Sequence, residues 1–162
     1  MKRKLWISLL LLLLIIGGGY FVIKVNPPLE IGTLASSENN KSVVVGVGNQ
    51  GYHNIKIEDV SVNNNEKPLK TRIQVSNAIQ GFIITDDDTH EDAKEFKFMN
   101  PDEIAIKTGT SPSSYFEKLD KGTASKDDEI YGVRVFHDEE VRKVQISYSY
   151  LGISFNETVT LN

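Results

Sequence analysis

An acidic run, three histidines and a glycine-rich turn are the parts of this chain whose groups have the type and spacing for chemistry. Asp86, Asp87, Asp88, Glu91 and Asp92 place five carboxylates within seven residues, around Thr89 and His90. A calcium ion takes six to eight oxygen ligands, so this loop offers part of a shell, with Asp86, Asp88 and Asp92 as the candidate ligands. The alternate-residue spacing of an EF-hand is missing, however, and no glycine lets the chain wrap an ion. A solvated loop between strands is the expected role, and the alternative has His90 opening a short helical turn through Glu95. His53, His90 and His137 lie far apart and lack the close spacing of helical zinc ligands, so scattered surface histidines are expected. No cysteine is present, which removes thiolate metal sites, disulfides and a cysteine nucleophile.

Gly46-Val47-Gly48-Asn49-Gln50-Gly51 matches the glycine pattern of dinucleotide-binding loops. That chemistry needs a helix opening at the loop, so that its N-terminal amides meet a pyrophosphate. Tyr52 to Ile57 alternate like a strand instead, so a hairpin turn is expected. No serine sits in the nucleophile-elbow pattern. Asp127-Asp128-Glu129 and Asp138-Glu139-Glu140 flank the apolar segment 131–136 and read as charged strand ends that discourage edge pairing. Nothing selects two of these carboxylates as an acid–base pair. The expectation is a protein that is not an enzyme and takes no cofactor.

The elements that carry these residues begin with an anchor. Residues 5–23, LWISLLLLLLIIGGGYFVI, run for nineteen positions without a charge. As a helix rising ~1.5 Å per residue, the run matches a ~30 Å hydrocarbon core. Leu5 and Ile23 bound the run, while Trp6 and Tyr20 lie near its ends, where amphipathic rings favour the interface. A helix satisfies its own backbone, so the three consecutive glycines are tolerated in lipid. Lys2, Arg3 and Lys4 precede the run and only Lys24 follows closely. The positive-inside rule then predicts a single-pass cell-membrane protein with a cytoplasmic N-terminus and the remainder outside. A cleaved signal peptide shares the basic start, but no small-residue cleavage site follows the apolar core. A retained anchor is expected.

Setting aside Lys2, Arg3, Lys4 and Lys24 leaves fourteen basic residues against all 22 acidic ones, a net charge of −8. Such a surface repels nucleic acid and anionic polymers. The expected partners are membrane lipid through residues 5–23 and an envelope protein, with no nucleic acid. Abundant lysine, asparagine and isoleucine suggest a Gram-positive bacterial source. Asn26-Pro27-Pro28 forms a short stiff spacer. The organisation read from the chain is a cytoplasmic tip and anchor over 1–24, spacer and first strand over 25–35, and an extracytoplasmic β domain over 36–162.

Beyond the anchor the apolar period is two. Val43, Val45 and Val47 alternate. Ile55 and Ile57 are followed by Val60 and Val62, with a slip at Glu58-Asp59 of the kind a β-bulge causes. Asparagines 63–65 mark a turn. Ile73 with Val75, Phe82-Ile83-Ile84, Phe96 with Phe98 and Ile104 with Ile106 predict short strands, the last two flanking an Asn100-Pro101-Asp102 turn. Tyr131, Val133 and Val135 share a face, as do Val144, Ile146, Tyr148 and Tyr150, before a final strand with Ile153, Phe155, Val159 and Leu161. Eight or nine short strands with turns between them predict an antiparallel sandwich. One short helix interrupts them, with Ser111 as N-cap, Pro112 in its first turn and Gly122 past its end. Tyr115, Phe116 and Leu119 are expected to face the sheet. Tyr148, Tyr150 and Phe155 gather aromatic area near the last hairpin, where core burial is expected over a binding patch.

SVVVGVGNQGYHNIKIEDVSVNN resembles the early strand pair of bacterial Ig-like domains, an apolar strand ending in a glycine turn before a second strand. EIYGVRVFHDEEVRKVQISYSYLGISFNETVTL resembles the closing strands of small membrane-anchored Gram-positive proteins of unknown function. The resemblance implies a mainly β fold, an Ig-like antiparallel sandwich behind a transmembrane helix, and it implies no functional residue. The expected function is an extracytoplasmic protein–protein interaction or accessory module. The alternatives are an ion or small-ligand sensor using the 86–92 loop, and a cell-wall hydrolase with an unrecognised carboxylate pair.

Overall fold

The computed structural model describes residues 2–85 and 91–161. An apolar helix α1 (Lys2–Val25) leads into β1 (Leu29–Ser36), β2 (Ser42–Asn49), β3 (Ile55–Val62) and β4 (Lys70–Asn77). A 3-10 turn over Glu91–Glu95 precedes β5 (Lys97–Met99) and β6 (Ala105–Ile106). Then come helix α2 (Pro112–Asp120) and the strands β7 (Glu129–Phe136), β8 (Lys143–Tyr150) and β9 (Ile153–Thr160). The fold is mainly β. One sheet runs in the order β1-β2-β7-β4-β5 and the other β6-β3-β8-β9. Each strand pair is antiparallel.

One apolar cluster draws on both sheets, from Val43, Val45, Ile73, Tyr131 and Val133 on the first to Ile55, Ile57, Val144, Ile146 and Tyr148 on the second. Period-two sequences put these side chains on one face of each strand, and burying that face is the main driving force for pairing the elements. In β8 the alternation is complete, with Val144, Ile146, Tyr148 and Tyr150 buried and Lys143, Gln145, Ser147 and Ser149 half-exposed. The β3–β8 register shifts between Ile57 and Asp59, at the point where the sequence slips phase. Tyr148 and Phe155 stack with ring centroids 5.2 Å apart, so the aromatic group near the last hairpin is core.

Three expectations need correction. The segment around Phe82-Ile83-Ile84 is not a strand. It crosses the outer face of the first sheet, and the Gln74 side-chain amide takes the place of a partner strand. Its nitrogen donates to the Ile83 carbonyl at 3.1 Å and its oxygen accepts from the Ile83 N–H at 2.9 Å. Ser42 Oγ donates to the Thr85 carbonyl at 3.2 Å, and Arg134 donates to the same oxygen. Under this segment Gly46 pairs with Gly132 across β2 and β7. A methyl on either would come within 3.2 Å or less of neighbouring atoms that include the Phe82 ring, so the paired glycines leave the slot that the ring occupies. This cover explains why β2 is buried on both faces.

Second, β7 is an inner strand between β2 and β4, so the acids at its ends do not guard a sheet edge. Third, α2 begins where its cap predicts, with Ser111 Oγ accepting from the Ser114 N–H, and ends near Gly122 in the left-handed region (φ 65°). It buries only Pro112 and Tyr115. Phe116 and Leu119 remain 43% and 40% exposed, because one short helix turns a single narrow face to β1 and β2.

Candidate functional site

At the end of the domain joined to α1, Asn49 organises the loops. Its side chain is fully buried at the last position of β2. Nδ2 donates to the carbonyls of His53 at 2.8 Å and Ile106 at 3.1 Å, and Oδ1 accepts from the Gly51 N–H at 2.8 Å. Its backbone N–H donates to Thr110 Oγ1 and its carbonyl accepts from the Gly109 N–H. The loop lies so close that a methyl on Gly48 would stand 2.0 Å from the Thr110 carbonyl oxygen. The glycine-rich motif is therefore a strand end packed under a loop. It opens into β3, with no helix there to receive a phosphate.

Three adjoining depressions line this end. A notch of about 290 Å³ lies between Val22 and Ile23 of α1 and the turn carrying Gln50, Gly51 and Tyr52. A broad depression of about 440 Å³ shares that turn and continues along Thr108, Gly109, Ser111 and Ser114. A cleft of about 230 Å³ shares Thr108, Gly109 and Ser114 and ends among Lys107, Lys118, Asp127, Asp128 and Glu129. Tyr52 lines both the notch and the broad depression of this groove and is 93% exposed.

The charged cleft is internally paired. Lys107 Nζ lies 2.7 Å from Glu129 Oε2, and the Tyr131 hydroxyl donates to the same oxygen at 2.7 Å. Burial is the largest single influence on Glu129 and raises its pKa. Hydrogen bonds from Lys107 and Tyr131, with the charges of Lys107 and Lys97, outweigh it and hold the carboxyl below its usual range. Lys118 pairs with Asp128, which also accepts from the Ser125 N–H at 2.7 Å. These bonds, the Lys118 one first, lower Asp128 as well. A glycosidase acid has to hold its proton near neutral pH. Both carboxyls are tuned in the opposite sense, toward binding charge.

The other candidates disperse. Asp86, Asp88 and His90 lie outside the described residues, and Asp92 sits exposed in the 3-10 turn. Among the described residues no group of three His, Cys, Asp or Glu side chains is placed to hold a metal. His53 stands edge-on to Tyr150, while His137 departs from the expected surface position and is buried beside Glu66, whose carboxylate lies 3.3 Å from Nε2. Of the anchor residues, Trp6 and Tyr20 are exposed, and the side chain of Leu5 lies outside the description. Ile23 packs partly against the domain core. One helix among the described residues is long and apolar enough to cross a membrane, with Trp6–Val25 as its apolar span.

Sequence reasoning missed Lys107, Lys118, Tyr52 and the Asn49 hub. Asn49 had a signal, a polar residue closing an apolar strand before a glycine. The lysines had none, since loop proximity alone brings them to Asp128 and Glu129. Compared with protein-family models, curated proteins and solved structures, the chain matches none.

Proposed function

We propose that this chain is a single-pass membrane protein whose β domain, an Ig-like sandwich outside the cytoplasm, binds a second envelope protein at the membrane surface. The basic residues Lys2, Arg3 and Lys4 ahead of the apolar helix favour a cytoplasmic N-terminus. The strand order supports the Ig-like reading. β1-β2-β7-β4 and β3-β8-β9 follow the constant-type orders ABED and CFG, with β5 and β6 as additions and no inter-sheet disulfide.

The observation that carries the interaction reading is the outer face of α2. Phe116 and Leu119, three residues apart, stand exposed on the helix whose Ser114 and Lys118 line the charged cleft. Aromatic and aliphatic anchors beside ionised groups are the make-up of protein interfaces. Attachment of the domain to its helix suits a partner in the same membrane. Lys24 Nζ donates to the Ser154 carbonyl at 2.9 Å and lies 4.6 Å above the Phe155 ring, and Gln50 Nε2 donates to the Pro27 carbonyl at 3.0 Å. These contacts span the short spacer and hold the domain against the helix end.

Crosslinking in intact cells tests the reading, with the full chain, the Phe116→Asp/Leu119→Asp variant and an anchor-only control compared by mass spectrometry. The expected result is one protein enriched by the full chain and lost by the variant. No enrichment over the anchor-only control would overturn the interaction reading.

A further inference from the structure

Strand register sorts the loops into two ends. Leu29, separated from the end of α1 by three residues, pairs with Asn49, so the turn between β2 and β3 lies at the α1 end. The β8–β9 hairpin lies there too, since its Tyr150 hydroxyl accepts from the Tyr52 N–H at 3.0 Å and its Ser154 carbonyl holds Lys24. Leu69 belongs to the opposite end, because it precedes Lys70, whose partner Phe136 also pairs with Ser42, the first residue of β2.

Of the large side chains exposed at the α1 end, two lie on the loops that touch α1. Tyr52 is 93% exposed and Leu151, at the tip of the hairpin, is 53% exposed. Tyr52 shares its notch with Val22 and Ile23, which belong to the apolar span itself. A side chain level with the last turn of that span stands at the depth of the interface, where tyrosine is favoured for its apolar ring and polar tip. Leu151 adopts a left-handed backbone (φ 51°) ahead of Gly152 (φ 76°), a two-residue turn of the type that prefers asparagine at that position. A bulky apolar residue there costs stability in water, and lipid offers the compensation.

We propose that this rim of the domain rests on the bilayer, with Tyr52 and Leu151 dipping into the headgroup–acyl boundary beside the anchor. The proposal rests on the reading of α1 as a membrane span. It adds a lipid contact to the protein contacts that already hold the domain against the helix end.

The absence of native cysteine makes the test direct. Single cysteines at Asn54, Leu69 and Leu12 of the full chain are labelled with bimane in phosphatidylcholine nanodiscs that carry doxyl-quencher lipids. With the rim buried ~5–10 Å, quenching at position 54 should be at least about twofold that at 69. Adding Tyr52→Ser and Leu151→Asn should return position 54 to the level of 69. Equal quenching at 54 and 69 with strong quenching at 12 would overturn the proposal and leave the anchor intact. Quenching at 54 that the double substitution does not change would overturn it as well. A label at 12 that escapes quenching would sink the anchor reading, and this proposal with it.

Discussion

The side-chain amide of Gln74 pairs with both backbone groups of Ile83, standing in for a strand that the sheet does not have. Gln74 is fully buried and Ile83 half-buried, so the backbone groups that this amide pairs are partly shielded from water. Replacing it by leucine keeps the volume and orphans an N–H and a C=O, each worth about 1–3 kcal/mol when buried and unpaired. The Gln74→Leu full chain in detergent should lose about 2–4 kcal/mol in denaturant titration. Faster amide exchange at Ile83 would locate the loss, and an unchanged midpoint would show that the 81–85 segment does not lean on this contact.

Asn49 ties the β2–β3 turn and the end of β6 to one strand end through three hydrogen bonds of its side chain. Asn49→Leu removes those bonds and leaves the His53 and Ile106 carbonyls without their donor. A cost of about 2–4 kcal/mol is expected, together with chemical-shift changes at Gly51, Thr110 and Ser114. Shifts confined to residue 49 would show that the groove forms without the hub.

Glu129 links stability to acid. Its folded pKa lies below the reference value of 4.5, so its contribution is fully present above 4.5 and is lost as pH falls through the folded value. Glu129→Gln should therefore be less stable than the parent at pH 7, by about 1 kcal/mol given its partial exposure. The difference should shrink below pH 4.5 and vanish once the parent carboxyl is protonated. A gap independent of pH would mean that packing, and not charge, sets the effect.

Tyr148 shows the converse case. Its hydroxyl is buried and makes no hydrogen bond of good geometry among the described residues, with only the Leu29 backbone offering a weak one. Burial first, then the negative charge of Glu157, pushes its pKa up to about 12 from 10.0, with the Leu29 backbone acting weakly the other way. A raised pKa contributes stability below 10 that is lost as pH climbs toward 12. Tyr148→Phe deletes an unsatisfied hydroxyl and should be neutral or stabilising by up to about 1 kcal/mol at pH 7. It should also flatten the loss of stability above pH 10. A clear destabilisation at pH 7 would reveal a partner for that hydroxyl.

The sequence by itself determined the elements whose signals are local. The uncharged run of residues 5–23 forms a helix, the arrangement in which a single segment satisfies its own backbone hydrogen bonds. The alternation in Val144 to Tyr150, the slip at Glu58-Asp59 and the Ser111 cap each depend on neighbours within a few positions, so they can be read from one dimension. Tertiary structure alone decided what covers what. Phe82 to Ile84 has the composition of a strand, yet a buried glutamine and a slot between two glycines hold it across a sheet instead. The acids beside β7 look like edge guards until the strand order puts β7 inside and brings Lys107 and Lys118 to them. Phe116 and Leu119 have the residue types of a core, but a single helix offers one face to the sheet and leaves the other to solvent. In each of these cases the deciding partner lies many residues away, and only the folded chain brings it within reach.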